Sequence, residues 1–352
     1  MKKQIAAAAL GAAVLLLSGC SAGVQEASGS IYAMSTIVSQ RVWAQGDGAD
    51  KARLEAEQTL NRFEAQFSLY REDSEIALLN AAAGIAPVHV SEGTYRLLEY
   101  AKELSLQHPQ EFALTIAPVT LAWGVNTDAP RVLGKEEREA LLPLIQDEQL
   151  VLERTEDACT AFLEQPGQGV DLGGIAKGAA CDAVREVYRR QGVQAALLDI
   201  GGNIMAYGRK PDGSAFEVGL RDPQGGQQSA MGVLRLEDQV VAVSGGYERF
   251  FEVDGERYSH IFDPKTAAPA QSNLEEVAVI SSRGTDADFY STTLYVGGLD
   301  QALRYMRQGG CAIAVTKDGT VYASQSLQGS FRLTDGGAED FRLEWVGPEE
   351  TQ

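Results

Sequence analysis

The sequence predicts an α+β fold in which mixed, largely antiparallel sheets pack against helices. In the second half of the chain, short strand-like segments follow one another and hairpin turns such as Asp254-Gly255 join them. Segments with the helical spacing of apolar residues lie before and after this region. Strands and helices therefore do not alternate regularly, as they would in a doubly wound parallel sheet. The chain has 352 residues, of which 44% are hydrophobic, so it can bury a substantial core.

The first half of the chain predicts one strand and then a series of helices. The strand is expected over Ile31 to Ala44, and a helix follows it, with apolar residues at positions 56, 60, 63 and 67. A second helix is expected after Ser91, since serine is a favourable N-cap residue. A short third helix is expected over Lys135 to Ile145.

The middle of the chain predicts a helix, a buried strand and then the strand-rich region. The helix covers Ile175–Arg190 and ends at Gly192, because glycine suits the residue that follows a helix. The buried strand is Ala195–Ile200. The further strands are expected over Ala215–Leu220, Gly232–Leu236, Val240–Ser244, Arg249–Val253, Arg257–Phe262, Glu276–Ser281, Cys311–Thr316 and Thr320–Ser324, with helices over Asp286–Val296 and Asp300–Arg307.

The first residues predict a secretory signal rather than a folded element. Lys2 and Lys3 precede the apolar stretch Ile5 to Leu17, which is too short to span a bilayer permanently. Leu17-Ser18-Gly19-Cys20 has the form of a bacterial lipobox, so we expect cleavage before Cys20 and lipidation of its thiol. The expected organisation is a signal peptide over 1–19, a tether over 20–30, one domain over 31–345 and a tail over 346–352. The mature protein would be exported and anchored to the extracytoplasmic face of the cell membrane.

Charge and cysteine spacing exclude some classes of function. The formal net charge of −19 is unfavourable for binding nucleic acid, and no basic patch with interleaved aromatic residues occurs. Cys159, Cys181 and Cys311 are too widely spaced for a zinc motif or a disulfide framework.

The run Asp171-Leu172-Gly173-Gly174-Ile175-Ala176-Lys177-Gly178 carries the most information about function. Adjacent glycines allow close approach to a ligand, and the following helix directs its first N–H groups and positive dipole end toward the turn. Lys177 adds a cation. The run therefore fits a phosphate or pyrophosphate site, and it fits a tight strand-to-helix turn equally well.

Two further positions are candidates for chemistry. His260 lies at the end of a predicted strand, just before the turn at Asp263-Pro264, where it could be a structural residue or a catalytic base. Asp288 and Thr292 are four residues apart on a predicted helix and therefore share a face. Their oxygens suit Mg²⁺, although an acidic first helical turn would explain them as well.

Read in order, these segments resemble the ApbE family of FAD:protein FMN transferases over almost the whole mature chain. The matching segments are Met34-Ser35-Thr36, Ser68-Leu69-Tyr70 with Asp73-Ser74-Glu75 and Asn80, Asp171–Gly178 with Asp182, Gly201-Gly202-Asn203, Ser244-Gly245 with Tyr247, His260–Pro264 with Pro269, and Asp288 with Thr292. The resemblance implies an ApbE-like, T-fold-related architecture. It also implies an exported lipoprotein enzyme that binds FAD as its substrate and Mg²⁺ as its cofactor.

The resemblance also implies the reaction and its partners. The FMN half of FAD would be transferred to a threonine or serine hydroxyl of a partner flavoprotein through a phosphoester bond, with release of AMP. Partners of this family are redox subunits of the Nqr or Rnf type, or extracytosolic FMN-binding domains. Two alternatives stay open: Mg²⁺-dependent hydrolysis of FAD to FMN and AMP, and a non-catalytic FAD-binding lipoprotein.

Individual roles carry over only where the residues match. The resemblance implies that Asp288 and His260 are catalytic, with His260 activating the acceptor hydroxyl. It implies a metal site formed by the Gly174 carbonyl and the side chains of Asp288 and Thr292. FAD-binding positions would be Met34, Tyr70, Glu111, Phe112, Ala113, Asp171, Lys177 and Ile261.

Three segments depart from the family pattern. The family has Gly-x-Phe-Asp-Pro-Thr where this chain has Gln110-Glu111-Phe112-Ala113-Leu114-Thr115, which weakens the expectation for Glu111 to Ala113. Ser35 and Ala267 each replace a usual glycine. Neither replacement touches the expected metal ligands or base, so activity is still expected.

Overall fold

A computed structural model describes residues 23–225 and 229–349 of the chain. The expected signal peptide, Cys20 and the end of the tail, residues 350–352, lie outside the described residues. Among the helices that are described, none combines the length and the apolar character needed to cross a membrane.

The described residues form helices and strands in an α+β arrangement. The strands are β1 (Val24–Ala33), β2 (Thr36–Gln45), β3 (Val88–Val90), β4 (Leu150–Arg154), β5 (Cys159–Leu163), β6 (Ala195–Ile200), β7 (Asn203–Gly208), β8 (Phe216–Arg221), β9 (Ala230–Leu236), β10 (Gln239–Gly245), β11 (Phe250–Val253), β12 (Glu256–Ser259), β13 (Phe262–Asp263), β14 (Ala268–Pro269), β15 (Leu274–Ser281), β16 (Ala312–Thr316), β17 (Thr320–Ser324), β18 (Phe331–Leu333) and β19 (Arg342–Val346). The α-helices are α1 (Gly48–Phe67), α2 (Glu75–Ala81), α3 (Glu92–Gln107), α4 (Ala117–Trp123), α5 (Lys135–Leu141), α6 (Ala176–Arg190), α7 (Gly284–Arg307) and α8 (Gly337–Asp340).

A nine-stranded sheet forms the centre of the molecule, in the order β1-β2-β6-β7-β10-β15-β16-β17-β19. All neighbouring strands in it are antiparallel except β17 and β19, which are parallel. The expectation of a mixed, largely antiparallel α+β fold is therefore confirmed.

Helices cover one face of this sheet, and a smaller sheet covers the other. Along β10, Val240 and Ala242 pack in the core that contains α1, α6 and α7, whereas Val241 packs against the sheet β18-β9-β8. This alternation follows from the two-residue period of a strand. A third core joins α2, α3 and the sheet β3-β5-β4 to the loops that lead into α6.

Several local predictions are confirmed. Ser91 caps α3 by accepting a hydrogen bond from the Thr94 N–H (3.3 Å). Gly192 follows α6 with a φ of 65°, which glycine adopts without strain. The two helices expected between Asp286 and Arg307 form the two halves of α7, which meet at a kink where Gly298 has non-helical backbone angles.

Three predictions of local structure are wrong. The single strand expected over Ile31 to Ala44 is instead a hairpin, in which β1 turns into β2 at Met34-Ser35. Residues 24–30, expected to belong to a tether, form most of the edge strand β1, which pairs with β2 along its whole length. Their polar composition conceals the strand because this strand exposes most of its side chains and buries Ala27 and Ala33. The strand expected over Arg257–Phe262 is interrupted after Ser259, so that His260 lies between β12 and β13.

Candidate active site

A cleft of about 420 Å³ lies between the turn that joins β1 to β2, the loops before α6, the start of α7 and the loops around β11 and β12. It contains every candidate site residue that falls within the described part of the chain. These residues are Met34, Tyr70, Glu111, Phe112, Ala113, Asp171, Gly174, Lys177, His260, Ile261, Asp288 and Thr292. The fold thus brings together residues that lie more than 250 positions apart in the sequence.

The glycine turn before α6 is held in place by Asp171. Its carboxylate accepts hydrogen bonds from the Gly173 N–H (2.8 Å) and from the Thr120 hydroxyl (2.8 Å). Burial raises the pKa of Asp171, and these two hydrogen bonds oppose the rise. Asp171 therefore orients the glycine turn, and the residue also lines the cleft.

The start of α6 is bound to α7 through Asp288. The Gly178 N–H donates to Asp288 Oδ2 (2.9 Å), and the Asp288 side chain is almost completely buried. A Cβ atom on Gly178 would lie only 2.0 Å from the Gly284 carbonyl oxygen, so the two helices approach closely at these glycines. The anion that lies at this helix N-terminus is therefore the Asp288 carboxylate.

The three expected metal ligands lie in one part of the cleft. A Cβ atom built on Gly174 would be 3.3 Å from Thr292 Oγ1, which places the glycine turn against α7. Ser244 Oγ lies 3.4 Å from Thr292 Oγ1 and adds a further hydroxyl. One carboxylate, hydroxyls and a carbonyl form a hard-oxygen set, which suits Mg²⁺ when phosphate oxygens and water complete its coordination. Within residues 23–225 and 229–349, no group of three or more His, Cys, Asp or Glu side chains could hold a metal ion.

His260 is fixed by the backbone of Arg249. The Arg249 carbonyl accepts a hydrogen bond from the His260 N–H (3.1 Å) and lies 3.2 Å from His260 Nδ1. Because a carbonyl only accepts, Nδ1 carries the proton and Nε2 keeps a free lone pair. Burial lowers the pKa of His260 to about 3, and the positive charges of Lys177 and Arg249 act in the same direction. His260 is therefore neutral near pH 7, with an unprotonated Nε2.

The loop that departs from the family pattern still forms part of the cleft wall. Glu111, Phe112 and Ala113 all line the cleft, and the Phe112 ring packs on Phe289 with centroids 4.7 Å apart. Buried Asp147 holds the following residues by accepting from the Leu114 N–H (2.9 Å) and the Thr115 N–H (2.7 Å). The missing aspartate and proline therefore do not remove this loop from the site.

Sequence reasoning missed several polar residues of the cleft. Arg221, Glu248 and Arg249 line it, and no motif that we recognised pointed to them. Glu248 and Arg249 directly follow Ser244-Gly245-Gly246-Tyr247, and this proximity was the available signal. Burial raises the pKa of Glu248, while the charges of Lys177 and Arg249 oppose the rise. Asp263, three residues after His260, accepts a hydrogen bond from the Lys265 N–H (2.9 Å) in the next turn.

Comparisons with known proteins identify relatives of this chain. The sequence model of the ApbE family matches residues 34–315. A FAD:protein FMN transferase of Klebsiella pneumoniae (strain 342) is 34% identical over 282 residues, which cover 80% of this chain and 87% of the relative. A protein of the same name from Treponema pallidum (strain Nichols) is 33% identical over 332 residues, covering 90% and 92% of the two chains.

Solved structures show the same fold. The ApbE protein of Thermotoga maritima superposes with a TM-score of 0.81 at 27% identity, covering 88% of this chain and 100% of the other. The flavin transferase ApbE of Vibrio cholerae gives a TM-score of 0.77 at 26% identity, covering 87% and 99%.

Proposed function

The chain belongs to the ApbE family, and we propose that it is an enzyme that acts as a Mg²⁺-dependent FAD:protein FMN transferase. It transfers the FMN half of FAD to a threonine or serine hydroxyl of a partner flavoprotein, forms a phosphoester bond and releases AMP. The names of the matching relatives support the flavin transfer. Mg²⁺, the hydroxyl acceptor and AMP are what the resemblance to the family implies, and the residues that line the cleft are compatible with them.

One observation carries this proposal. A neutral histidine, a lysine and a set of hard oxygen ligands line the same cleft, although they come from distant parts of the chain. Displacement at a pyrophosphate needs a base for the attacking hydroxyl and positive charge near the phosphate oxygens. His260 supplies the first, and Lys177 supplies part of the second.

The protein residues divide the chemistry between them. His260 Nε2 accepts the proton of the acceptor hydroxyl, whose oxygen forms a bond to the phosphorus of the FMN half. The bond from that phosphorus to the bridging oxygen breaks, and AMP leaves with the electron pair. The ammonium of Lys177 stabilises negative charge on the phosphate oxygens, and the apolar wall formed by Phe112 and Met34 accommodates aromatic rings.

The residues present fit a Mg²⁺ ion. Asp288 is held by the Gly178 N–H through one carboxylate oxygen, which leaves the other free to bind a cation. Thr292 and the Gly174 carbonyl would complete the protein part of such a site. When bound there, Mg²⁺ would neutralise charge that develops on the pyrophosphate.

The proposed reaction is tested by incubating the protein with FAD, Mg²⁺ and a domain that carries the acceptor residue, followed by mass spectrometry. A covalent FMN adduct together with AMP is the expected result. Free FMN and AMP without an adduct would instead indicate hydrolysis, and unchanged FAD would indicate a binding protein without activity.

The proposed metal site is tested by Asp288→Ala, which should abolish Mg²⁺-dependent turnover because it removes the carboxylate ligand. Asp300→Ala is a matched control, since Asp300 is exposed on the same helix and does not line the cleft. Full activity of Asp288→Ala across a Mg²⁺ titration would contradict the metal assignment.

We also propose that the enzyme works outside the cytoplasm, anchored by a lipid on Cys20, on an acceptor of the Nqr or Rnf type or an extracytosolic FMN-binding domain. The lipobox Leu17-Ser18-Gly19-Cys20 after an apolar segment supports this location. Cell fractionation tests it: Cys20→Ser should release the protein from the membrane fraction. Unchanged membrane association of that variant would contradict the lipid anchor.

A further inference from the structure

The two-residue turn between β1 and β2 has a backbone conformation that its sequence disfavours. Ala33 pairs with Thr36, so that Met34 and Ser35 form the turn with φ values of 53° and 57°. Turns of this kind prefer asparagine and glycine, because other residues are strained at positive φ. Met34 and Ser35 both line the cleft, so the shape of this turn is also the shape of the site.

Arg249, which also lines the cleft, contacts this turn through its side chain. Its Nη2 donates a hydrogen bond of 2.7 Å to the Ser35 carbonyl oxygen. A hydrogen bond from a charged donor is stronger than a neutral one, so this contact can retain a conformation that the turn residues alone disfavour.

The backbone of Arg249 fixes His260. Phe250 pairs with Ser259 at the end of the β11–β12 hairpin, and Arg249 and His260 extend this pairing by one step. The same Arg249 carbonyl also orients His260 Nδ1. Arg249 therefore contacts the turn through its side chain and the histidine through its main chain.

We propose that Arg249 is a positioning residue that fixes the strained Met34-Ser35 turn relative to His260. A glycine at position 35 would adopt positive φ without strain, so the turn would depend less on Arg249. The inference rests on the proposed role of His260 as the base. It differs from a direct role of the Arg249 charge in binding FAD phosphates, and the two can be separated by experiment.

The experiment is a double-mutant cycle with Ser35→Gly, Arg249→Gln and the two combined. For each variant, kcat and KM for FAD are measured in the flavinylation assay, and the FAD dissociation constant is measured by flavin fluorescence. Arg249→Gln should lower kcat/KM by about 10- to 100-fold, the size expected for loss of a hydrogen bond from a charged group. Adding Ser35→Gly should recover part of this loss, because glycine removes the strain at position 35 while Met34 keeps its own.

Two further variants sharpen the result. Arg249→Lys retains the charge but not the planar donor group, so it should recover only part of the activity. Arg257→Gln is the matched control, because Arg257 is exposed in the same hairpin, pairs with Glu252 and does not line the cleft. It should keep wild-type kcat and KM.

Three results would overturn the proposal: wild-type kinetics of Arg249→Gln, full recovery by Arg249→Lys, or equal impairment of Arg249→Gln with and without Ser35→Gly. Should Arg249→Gln fail to fold, a folded double variant with recovered FAD affinity supports the proposal, and an unfolded one overturns it. Failure of the proposed function has a different signature, namely no FMN adduct with the wild-type protein. The FAD dissociation constants still decide the role of Arg249 in that case.

Discussion

Gly178 lies where α6 and α7 approach closely, and we expect Gly178→Ala to force the two helices apart. The added Cβ would lie 2.0 Å from the Gly284 carbonyl oxygen and 2.7 Å from Asp288 Cβ. Ordinary contacts between such atoms are about 3.4–4 Å, so the backbone must move by about 1 Å or more. Both neighbours belong to a close-packed core rather than to a flexible side chain, and strain of this kind costs about 1–3 kcal/mol.

The same displacement should impair the active site. The Gly178 N–H donates to Asp288 Oδ2, so separation of the helices moves this carboxylate away from the glycine turn. A misplacement of about 1 Å near reacting groups can lower a rate about 100-fold. We therefore expect loss of stability and loss of FMN transfer together.

The assay combines urea unfolding with the flavinylation rate. Gly93→Ala is the matched control, because Gly93 also lies in the first turn of a helix, and its Cβ would meet no atom within 4 Å. That control should keep its activity and gain up to about 1 kcal/mol, because alanine restricts the unfolded chain. An unchanged free energy of unfolding and an unchanged rate for Gly178→Ala would refute the reasoning.

Further predictions concern two titratable groups, His260 and Glu276. His260→Gln should lower the transfer rate by about 10²- to 10⁴-fold while FAD still binds, because glutamine cannot act as a base, and rates and FAD affinity measured in parallel check this. The pKa of His260 is about 3 in the folded protein, so His260 should stay unprotonated from pH 5 to 8 and should not make the transfer rate depend on pH there. A pH-dependent loss of rate in this range that disappears in His260→Gln would contradict this expectation. Glu276 is buried, and burial raises its pKa from an ordinary 4.5 to about 8. The folded protein therefore binds this proton more tightly than the unfolded chain does. The resulting contribution to stability is complete below pH 4.5 and is lost as the pH rises to about 8, because the unfolded carboxyl ionises first. Between pH 5 and pH 8, the free energy of unfolding should therefore fall by about 3 kcal/mol less in Glu276→Gln than in the wild type. Urea unfolding at the two pH values measures this difference. Equal losses in the two proteins would show that Glu276 is ionised in the folded state.

Segments with strong local signals could be predicted from the sequence. The serine cap of α3, the glycine after α6 and the alternating strand β10 each follow from residues that act locally. The edge strand β1 could not be predicted, because its conformation comes from pairing with β2 rather than from its own apolar pattern. The short strands β3, β4 and β5 were missed because no Asp-Gly turn joins them, whereas such turns mark the equally short strands β11–β12 and β16–β17.

Ser35 and Ala267, the two residues that replace family glycines, show that a glycine-like backbone conformation can occur without glycine. Ser35 and Ala267 stand where the family has glycine, and both keep a positive φ, at 57° and 49°. Both positions therefore have a backbone conformation that glycine would adopt more easily than serine or alanine. Neighbours fix it in each case: Arg249 bonds to the Ser35 carbonyl, and the Trp123 indole N–H donates to the Ala267 carbonyl (2.9 Å). Such compensation cannot be predicted from the motif, because the compensating residues lie far away in the sequence.

The glycine turn before α6 also shows that the sequence alone could not predict every contact in the active site. A helix N-terminus preceded by glycines could have bound a phosphate directly, and the sequence alone left this open. In the folded protein the Gly178 N–H is occupied by Asp288, whose position depends on the contact between α6 and α7. The positive end of α6 thereby favours a carboxylate that can hold a cation, and the cation can in turn bind a phosphate. In the proposed site, the helix N-terminus would therefore act on phosphate through Asp288, a residue 110 positions away along the chain.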